Sequence, residues 1–197
     1  MGNMEQQSSN NQVVKAPILF EIWEWIKVIA IALAIAFIVR TFIAEPFVVD
    51  GASMDPTFKT GHFLIIDRVS YRFEEPKRGD IIVFVPPKDT SKFYIKRIIG
   101  LPNETITLNR GQVSVSTGST TTKIDEPYIN DIHRSYENGV YVLGKDEYFV
   151  MGDNRDGSYD SRSWGAVHSH QIAGKVILEL FPVLDVMPGK ISYTSEK

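Results

Sequence analysis

The chain has 197 residues, with 21 Lys and Arg against 24 Asp and Glu, a formal net charge of -3 and no cysteine. The missing sulfur excludes Cys-ligated zinc, iron–sulfur clusters, thiol catalysis and disulfide stapling, and the mild acidic excess argues against a protein that coats nucleic acid. A hydrophobic content of 43% with 11% aromatic residues belongs to a globular chain, and the length allows one ordinary domain plus an appendage.

Residues 1–12 are polar and lack apolar periodicity, so 1–17 reads as a loose tail. Residues 28–39 run VIAIALAIAFIV without a charge. Crossing the hydrocarbon layer takes about 20 helical residues. The uncharged run is too short alone. The stretch 23–43 is long enough if Lys27 and Arg40 reach opposite interfaces. Trp23 and Trp25 stand where an interfacial aromatic belt would place them. Residues 18–44 are therefore expected to form a single transmembrane anchor. A cleavable signal peptide fits less well, because Arg40 and Phe42 follow the apolar run where small residues should mark the cut. A buried core helix is disfavoured by length and all-round apolarity. Lys15 and Lys27 before the run and Arg40 after it lean weakly toward a cytoplasmic N-terminus.

Residues 1–44 hold three charges of each sign, so residues 45–197 keep the balance of -3. The pattern of this remainder is that of strands, and a mainly β domain is expected. Short apolar runs recur between turn signals at 63–66, 81–85, 93–99, 105–108, 112–115, 147–151 and 173–181. Residues 105–108 and 112–116 around Asn109-Arg110-Gly111 predict a hairpin. The stretch STGSTTT at 116–122 reads as an exposed low-complexity loop. No internal repeat is present.

Four segments stand out chemically. Gly51-Ala52-Ser53-Met54-Asp55-Pro56-Thr57 surrounds a serine with small residues, which lets backbone N–H groups and a carbonyl approach it closely; it could equally be a turn. Tyr94-Ile95-Lys96-Arg97-Ile98-Ile99-Gly100-Leu101-Pro102 puts two adjacent cations in an apolar strand, so one of them shares a face with isoleucines. A buried lysine loses affinity for its proton and becomes a candidate general base. The segment from Gly152 to Arg162 packs three Asp, two Arg and two Ser into eleven residues. It is either a solvated turn or part of a site, and no register of it matches a calcium loop. Arg78-Gly79-Asp80-Ile81-Ile82-Val83-Phe84 is a turn feeding a strand.

Together these segments resemble the type I signal peptidases of bacteria. The serine box S-M-x-P-T, the lysine box Y-[IV]-K-R-[IV]-[IV]-G-x-P and the box G-D-N-R-D-x-S-x-D-S-R match Ser53 to Thr57, Tyr94 to Pro102 and Gly152 to Arg162. Gly79-Asp80-Ile81-Ile82 approximates a fourth, G-D-[IV]-V. The boxes stand in order behind an apolar segment and span about residues 25–182. The single anchor and compact insert look like the Gram-positive form.

The resemblance implies a mainly β fold of the signal-peptidase and repressor-type Ser–Lys peptidase kind, with one N-terminal transmembrane helix and a smaller β subdomain inserted at 103–145. It implies a membrane-bound serine endopeptidase that removes signal peptides from exported preproteins at A-x-A-like sites. Ser53 would be the nucleophile and Lys96 the base. Ser158 would orient the Lys96 amine, Asp160 and Arg162 would support that loop, and Asp153 would pair with Arg97. The oxyanion would sit on the Ser53 N–H. Relatives often add a serine hydroxyl two positions earlier, but this chain has Gly51 there, which leaves the second donor open between a backbone N–H and water. Phe47, Val49, Phe58 and Ile95 would line shallow pockets for small side chains, with the peptide bound as an added strand. The expected partners are preproteins and membrane lipid, without nucleic acid or cofactor. A monomer is expected, with its N-terminus cytoplasmic and its catalytic domain outside the cell membrane.

Other readings explain less. His168 and His170 have strand spacing but no obvious third zinc ligand, and Trp164 reads as a core residue. A noncatalytic peptide-binding β domain would not need both Ser53 and Lys96. A self-cleaving repressor-type peptidase would need a DNA-binding helix-turn-helix ahead of the domain.

Overall fold

The computed structural model describes residues 18–38, 44–182, 184–186 and 192–194. The expected tail at 1–17 and the end of the expected anchor at 39–43 lie outside the described residues. The chain divides into two units, residues 1–39 and 40–197.

In the first unit, α1 (Ile18–Ile38) has 21 residues, without glycine or proline. Ala, Leu and unbranched charged residues favour the helix, and its many isoleucines cost little at this length. Glu24 and Lys27 pair across one turn at 2.6 Å. Apolar side chains are exposed on every side, among them Trp25, Leu33 and Phe37. Among the described residues no helix is long and apolar enough to cross a membrane. Glu21, Glu24 and Lys27 occupy the first half of α1, and the uncharged part runs only from Val28.

The second unit holds, in chain order, β1 (Ala44–Val48), β2 (Phe63–Asp67), β3 (Ile81–Phe84), β4 (Tyr94–Gly100), β5 (Thr105–Asn109), β6 (Gln112–Thr117) and β7 (Thr120–Asp125). There follow β8 (Gly139–Val142), β9 (Glu147–Met151), the one-turn helix α2 (Ser161–Trp164), β10 (Val167–His168), β11 (Ile172–Phe181), β12 (Asp185–Val186) and β13 (Ser192–Thr194). They form two antiparallel sheets. One has the order β1-β2-β11-β3-β4-β9-β10, with β12 on β11, and the other β13-β7-β6-β5-β8. The fold is mainly β, as expected. Residues 105–142 supply four strands of the smaller sheet, and β13 completes its edge.

All seven expected strands form, within a residue or two of their expected ends. The β5–β6 hairpin closes on Arg110-Gly111, both at positive φ (49° and 79°), between the paired residues Asn109 and Gln112. That is the turn geometry whose twist suits a two-residue hairpin. The loop expected at 116–122 is instead strand, turn and strand: Thr117 pairs with Thr120 across Gly118-Ser119 as β6 passes into β7. The stretch is polar because most of its side chains meet water, while its β-branched threonines suit the pleat.

β3 is buried on both faces, so its residues sort by period two. Ile81 and Val83 join Met54, Phe58, Leu64, Ile66 and Ile95 in one apolar cluster. Ile82 and Phe84 join Ile98, Val150, Val167 and Trp164 in another. Trp164 is thus a core residue, as expected, its ring 5.8 Å from that of Phe84. A third cluster, including Ile99, Ile106, Leu143 and Phe149, binds the small sheet to the end of β4. There β4 slips register against β9 between Ile98 and Gly100. A Cβ on Gly100 would lie 2.6 Å from Ile106 Cδ1 and 2.7 Å from Leu143 Cδ1, so any side chain there would push these two buried side chains aside. Gly100→Ala is expected to destabilise the fold by about 1–3 kcal/mol, read as a lower denaturation midpoint with an unchanged slope.

Candidate active site

The segment carrying Ser53 is a long connection between β1 and β2 that folds back on itself. The Val49 N–H donates to the His62 carbonyl at 3.0 Å, Gly61 N–H to the Val49 carbonyl at 2.9 Å, and Gly51 N–H to Thr60 Oγ1 at 3.0 Å. Gly51 takes φ +108°, where a side chain would be strained. Met54 and Phe58 are fully buried and pin the segment to the core. Ser53 is left half-buried at the rim of a cleft.

Lys96 comes from the middle of β4 and is 4% exposed. Its Nζ lies 2.7 Å from Ser53 Oγ and 2.8 Å from the Ile95 carbonyl oxygen, as donor to both in its protonated form. Burial pulls its proton affinity down to a pKa of about 8, against the opposing pull of Asp160 and Asp153. The neighbouring cation is treated differently. Arg97 donates through Nε and Nη2 to the two carboxylate oxygens of Asp153, at 2.9 and 2.6 Å, and through Nη1 to the Gly79 carbonyl. Asp153 has no exposed surface and also accepts from Thr57 Oγ1 at 2.5 Å. Of two adjacent cations, then, one is paired with a carboxylate, and the other has a hydroxyl, a carbonyl and, 5.6 Å from its Nζ, the ring of Tyr94.

The third element is the segment after β9. Asp160, fully buried, caps α2 by accepting from Arg162 N–H, takes Arg162 Nε at 2.8 Å, and accepts the Gly152 N–H at 3.0 Å. Arg162 reaches on to the Arg155 carbonyl at 2.6 Å and Ser135 Oγ at 3.0 Å. Asn154 ties this segment to the one that carries Ser53: its N–H donates to the Ser53 carbonyl and its Nδ2 to the Ala52 carbonyl, each at 3.1 Å. A Cβ on Gly152 would collide with the Ser53 carbonyl oxygen and with Ser158 Oγ. Only glycine permits that approach.

Several expected placements differ. Ser158 makes no hydrogen bond to Lys96: its Oγ is buried and unpartnered, and the Lys96 amine is satisfied by Ser53 and the Ile95 carbonyl. Phe47 and Ile95 line the cleft, together with Gly51, Tyr94 and Tyr159. Val49 and Phe58 do not; at 1% and 0% exposure they belong to the apolar cluster beneath the serine segment, which needs an anchor in the core. Gly51 N–H is already given to Thr60 Oγ1, whereas Ser53 N–H makes no hydrogen bond among the described residues. The rings of His168 and His170 stack at 5.6 Å, and among the described residues no three potential metal ligands converge. Thr57 and Asn154 were not singled out from the sequence. Both stand inside matched boxes, and that was the only signal for them.

The cleft measures about 580 Å³ and opens beside β1 and the start of β4. A buried amine next to a half-buried hydroxyl can remove that hydroxyl's proton once the amine is neutral. Below about pH 8 most Lys96 carries its proton, so kcat/KM for a reaction that uses its neutral amine is expected to rise about tenfold per pH unit up to roughly pH 7, then level off above 8. A flat profile with intact circular dichroism would count against a lysine base. Gly152→Ala is expected to lower kcat by about a hundredfold or more with little change in secondary structure, since an ångström of misplacement costs that much.

The family model described as "Signal peptidase, peptidase S26" matches residues 22–181. A probable signal peptidase I-2 of Synechocystis sp. is 38% identical over 162 residues, covering 80% of this chain and 72% of that protein. A signal peptidase I of Leptolyngbya laminosa is 36% identical, with 81% and 80% covered. The signal peptidase IB of Staphylococcus aureus is 36% identical over 180 residues, with 82% and 91% covered. A crystal structure of a signal peptidase I from Enterococcus faecalis superposes with a TM-score of 0.44 and 26% identity, over 52% of this chain and 97% of that one.

Proposed function

The chain belongs to the signal peptidase family, peptidase S26, whose members remove signal peptides from preproteins, and we propose that it does so with Ser53 as nucleophile and Lys96 as general base. The observation that carries this reading is the 2.7 Å contact between Lys96 Nζ and Ser53 Oγ, in a place dry enough to make the amine a base.

Neutral Lys96 takes the Ser53 proton as Oγ attacks the scissile carbonyl. The developing oxyanion is met by the free Ser53 N–H, and the second donor is a backbone N–H other than that of Gly51, or water. Lys96 then passes its proton to the leaving amine, and the carbonyl stays on Ser53 as an ester. With its amine neutral again, Lys96 activates a water that hydrolyses the ester. Asp153 with Arg97, and Asp160 with Arg162, hold the two segments that frame this chemistry.

The substrates are exported preproteins with A-x-A-like sites. The peptide lies extended in the cleft beside β1 and β4, with small side chains against Phe47 and Ile95. No cofactor takes part. The apolar segment that includes α1, with Lys27 and Arg40 flanking its uncharged run, anchors a monomer in the cell membrane by a single pass. The N-terminus is cytoplasmic and the catalytic unit extracellular. Confining enzyme and signal peptide to one plane raises their effective concentration.

The test is processing of a preprotein by the full chain in detergent or lipid. Ser53→Ala and Lys96→Ala should each lower cleavage at least about a thousandfold while circular dichroism stays native. Lys96→Arg should be equally inactive, because a guanidinium does not deprotonate in a protein. Cleavage retained by any of the three overturns the dyad.

A further inference from the structure

Arg97 is gripped in its plane by Asp153 and the Gly79 carbonyl, and one of its flat faces is covered. The ring of Tyr128 lies against it, with the guanidinium carbon 4.0 Å from the ring centroid. Tyr128 belongs to none of the four motifs. It comes from the turn that follows β7, where Ile129 N–H closes on the Glu126 carbonyl at 3.1 Å and Pro127 stiffens the second position. Its hydroxyl donates to Glu126 Oε1 at 2.6 Å. Glu126 in turn takes Arg155 Nη1 at 2.9 Å, and Arg155 Nε donates to the Gly152 carbonyl at 3.1 Å. The ring is thus held at one end by a rigid turn of the small sheet and at the other by the segment that carries Asp153.

We propose that Tyr128 is a positioning residue for the dyad: its ring excludes water from Arg97, keeps the Arg97–Asp153 pair closed, and thereby sets the charge that Lys96 feels. The inference rests on the reading of Lys96 as base. A guanidinium on an aromatic face is attracted by the ring quadrupole, most strongly where water is excluded. With that face open, water competes for Arg97 and the carboxylate of Asp153 is less well neutralised. Asp153 is one of two carboxylates that hold a proton on Lys96. The other, Asp160, is neutralised by Arg162. Tyr94, its ring 5.6 Å from Nζ, and Asp50, Lys92 and Tyr159 stand with Lys96 along the same cleft, while the paired strands offer only Ile81 to Phe84 of β3 and Phe149 to Met151 of β9. Of the two aspartates, Asp153 is the one whose neutralisation Tyr128 can reach, since Arg162 meets the small sheet's connections through Ser135 and Glu137 instead.

The experiment compares pH profiles of kcat/KM for the full chain in detergent, wild type against Tyr128→Phe and Tyr128→Leu. Tyr128→Phe keeps the ring, and its inflection should match that of the wild type. Tyr128→Leu should move the inflection up by about half a pH unit or more, which below it is a roughly threefold loss with the plateau rate and KM nearly kept. A merely structural role would lower the plateau or the folded fraction and leave the inflection in place; that result overturns the proposal. So does an equal shift in Tyr128→Phe, which would transfer the role to the hydroxyl and Glu126. If Tyr128→Leu does not fold, Tyr128→Met, similar in bulk and without an aromatic face, is judged by the same criteria. A wild type without an inflection near pH 8 removes the lysine base itself, whereas a wild type that inflects beside an unmoved Tyr128→Leu removes only the role of Tyr128.

Discussion

The desolvation of one ammonium group governs the arrangement of the larger sheet. Lys96 is 4% exposed and among the described residues has no carboxylate in contact; it meets Ser53 Oγ, the Ile95 carbonyl and, at 5.6 Å, the Tyr94 ring. Keeping a lysine charged in such surroundings is costly, and the free energy is relieved by loss of its proton. The fold must supply enough apolar surroundings to make that happen while holding two aspartates nearby without letting either one pair with Lys96. It does so by giving each aspartate its own arginine: Arg97 to Asp153 and Arg162 to Asp160.

These buried pairs are better understood as devices of specificity than as sources of stability. Replacing a buried ion pair by apolar residues is often neutral, whereas removing one partner leaves an uncompensated charge at a cost of about 3–5 kcal/mol. The Arg97–Asp153 pair joins segments 56 positions apart, whereas Asp160 and Arg162 stand two residues apart and brace their own turn. Asp153 receives Arg97 from β4 and Thr57 from the serine segment, so one carboxylate fixes the relative position of the strand with Lys96 and the segment with Ser53. Asn154, the next residue, adds two bonds to the carbonyls of Ala52 and Ser53. Ser53 Oγ and Lys96 Nζ are thus set by a common frame within the second unit, and Gly152 gives that frame its close approach.

The smaller sheet enters the same frame from the side. Its apolar face closes over Gly100 at the end of β4, and its turn at Glu126 to Ile129 brings Tyr128 and Glu126 against Arg97 and Arg155. A strand that is packed at its end and covered beside its middle has little freedom to shift the lysine it carries. Rigid support of this kind is what a proton transfer over 2.7 Å requires.

Much of this was legible in the chain itself. Period-two apolar runs located seven strands, and four ordered motifs singled out Ser53, Lys96, Arg97, Asp153, Asp160 and Arg162. The short strands β1, β8, β10, β12 and β13 were not legible, because they are only two to five residues long and owe their extended form to a neighbour's hydrogen bonds. β7 was mistaken for loop because its side chains face water. The family resemblance also placed Val49 and Phe58 in the cleft, whereas both lie in the core, since burial at those positions is decided by what folds over them. The same limit hid Tyr128 and left Ser158 without its expected partner. By itself the sequence determined which residues could react and in what order they come. Only the tertiary structure decided which of two adjacent cations is paired and which is left to lose its proton, because burial and pairing depend on contacts from segments as many as 56 positions away.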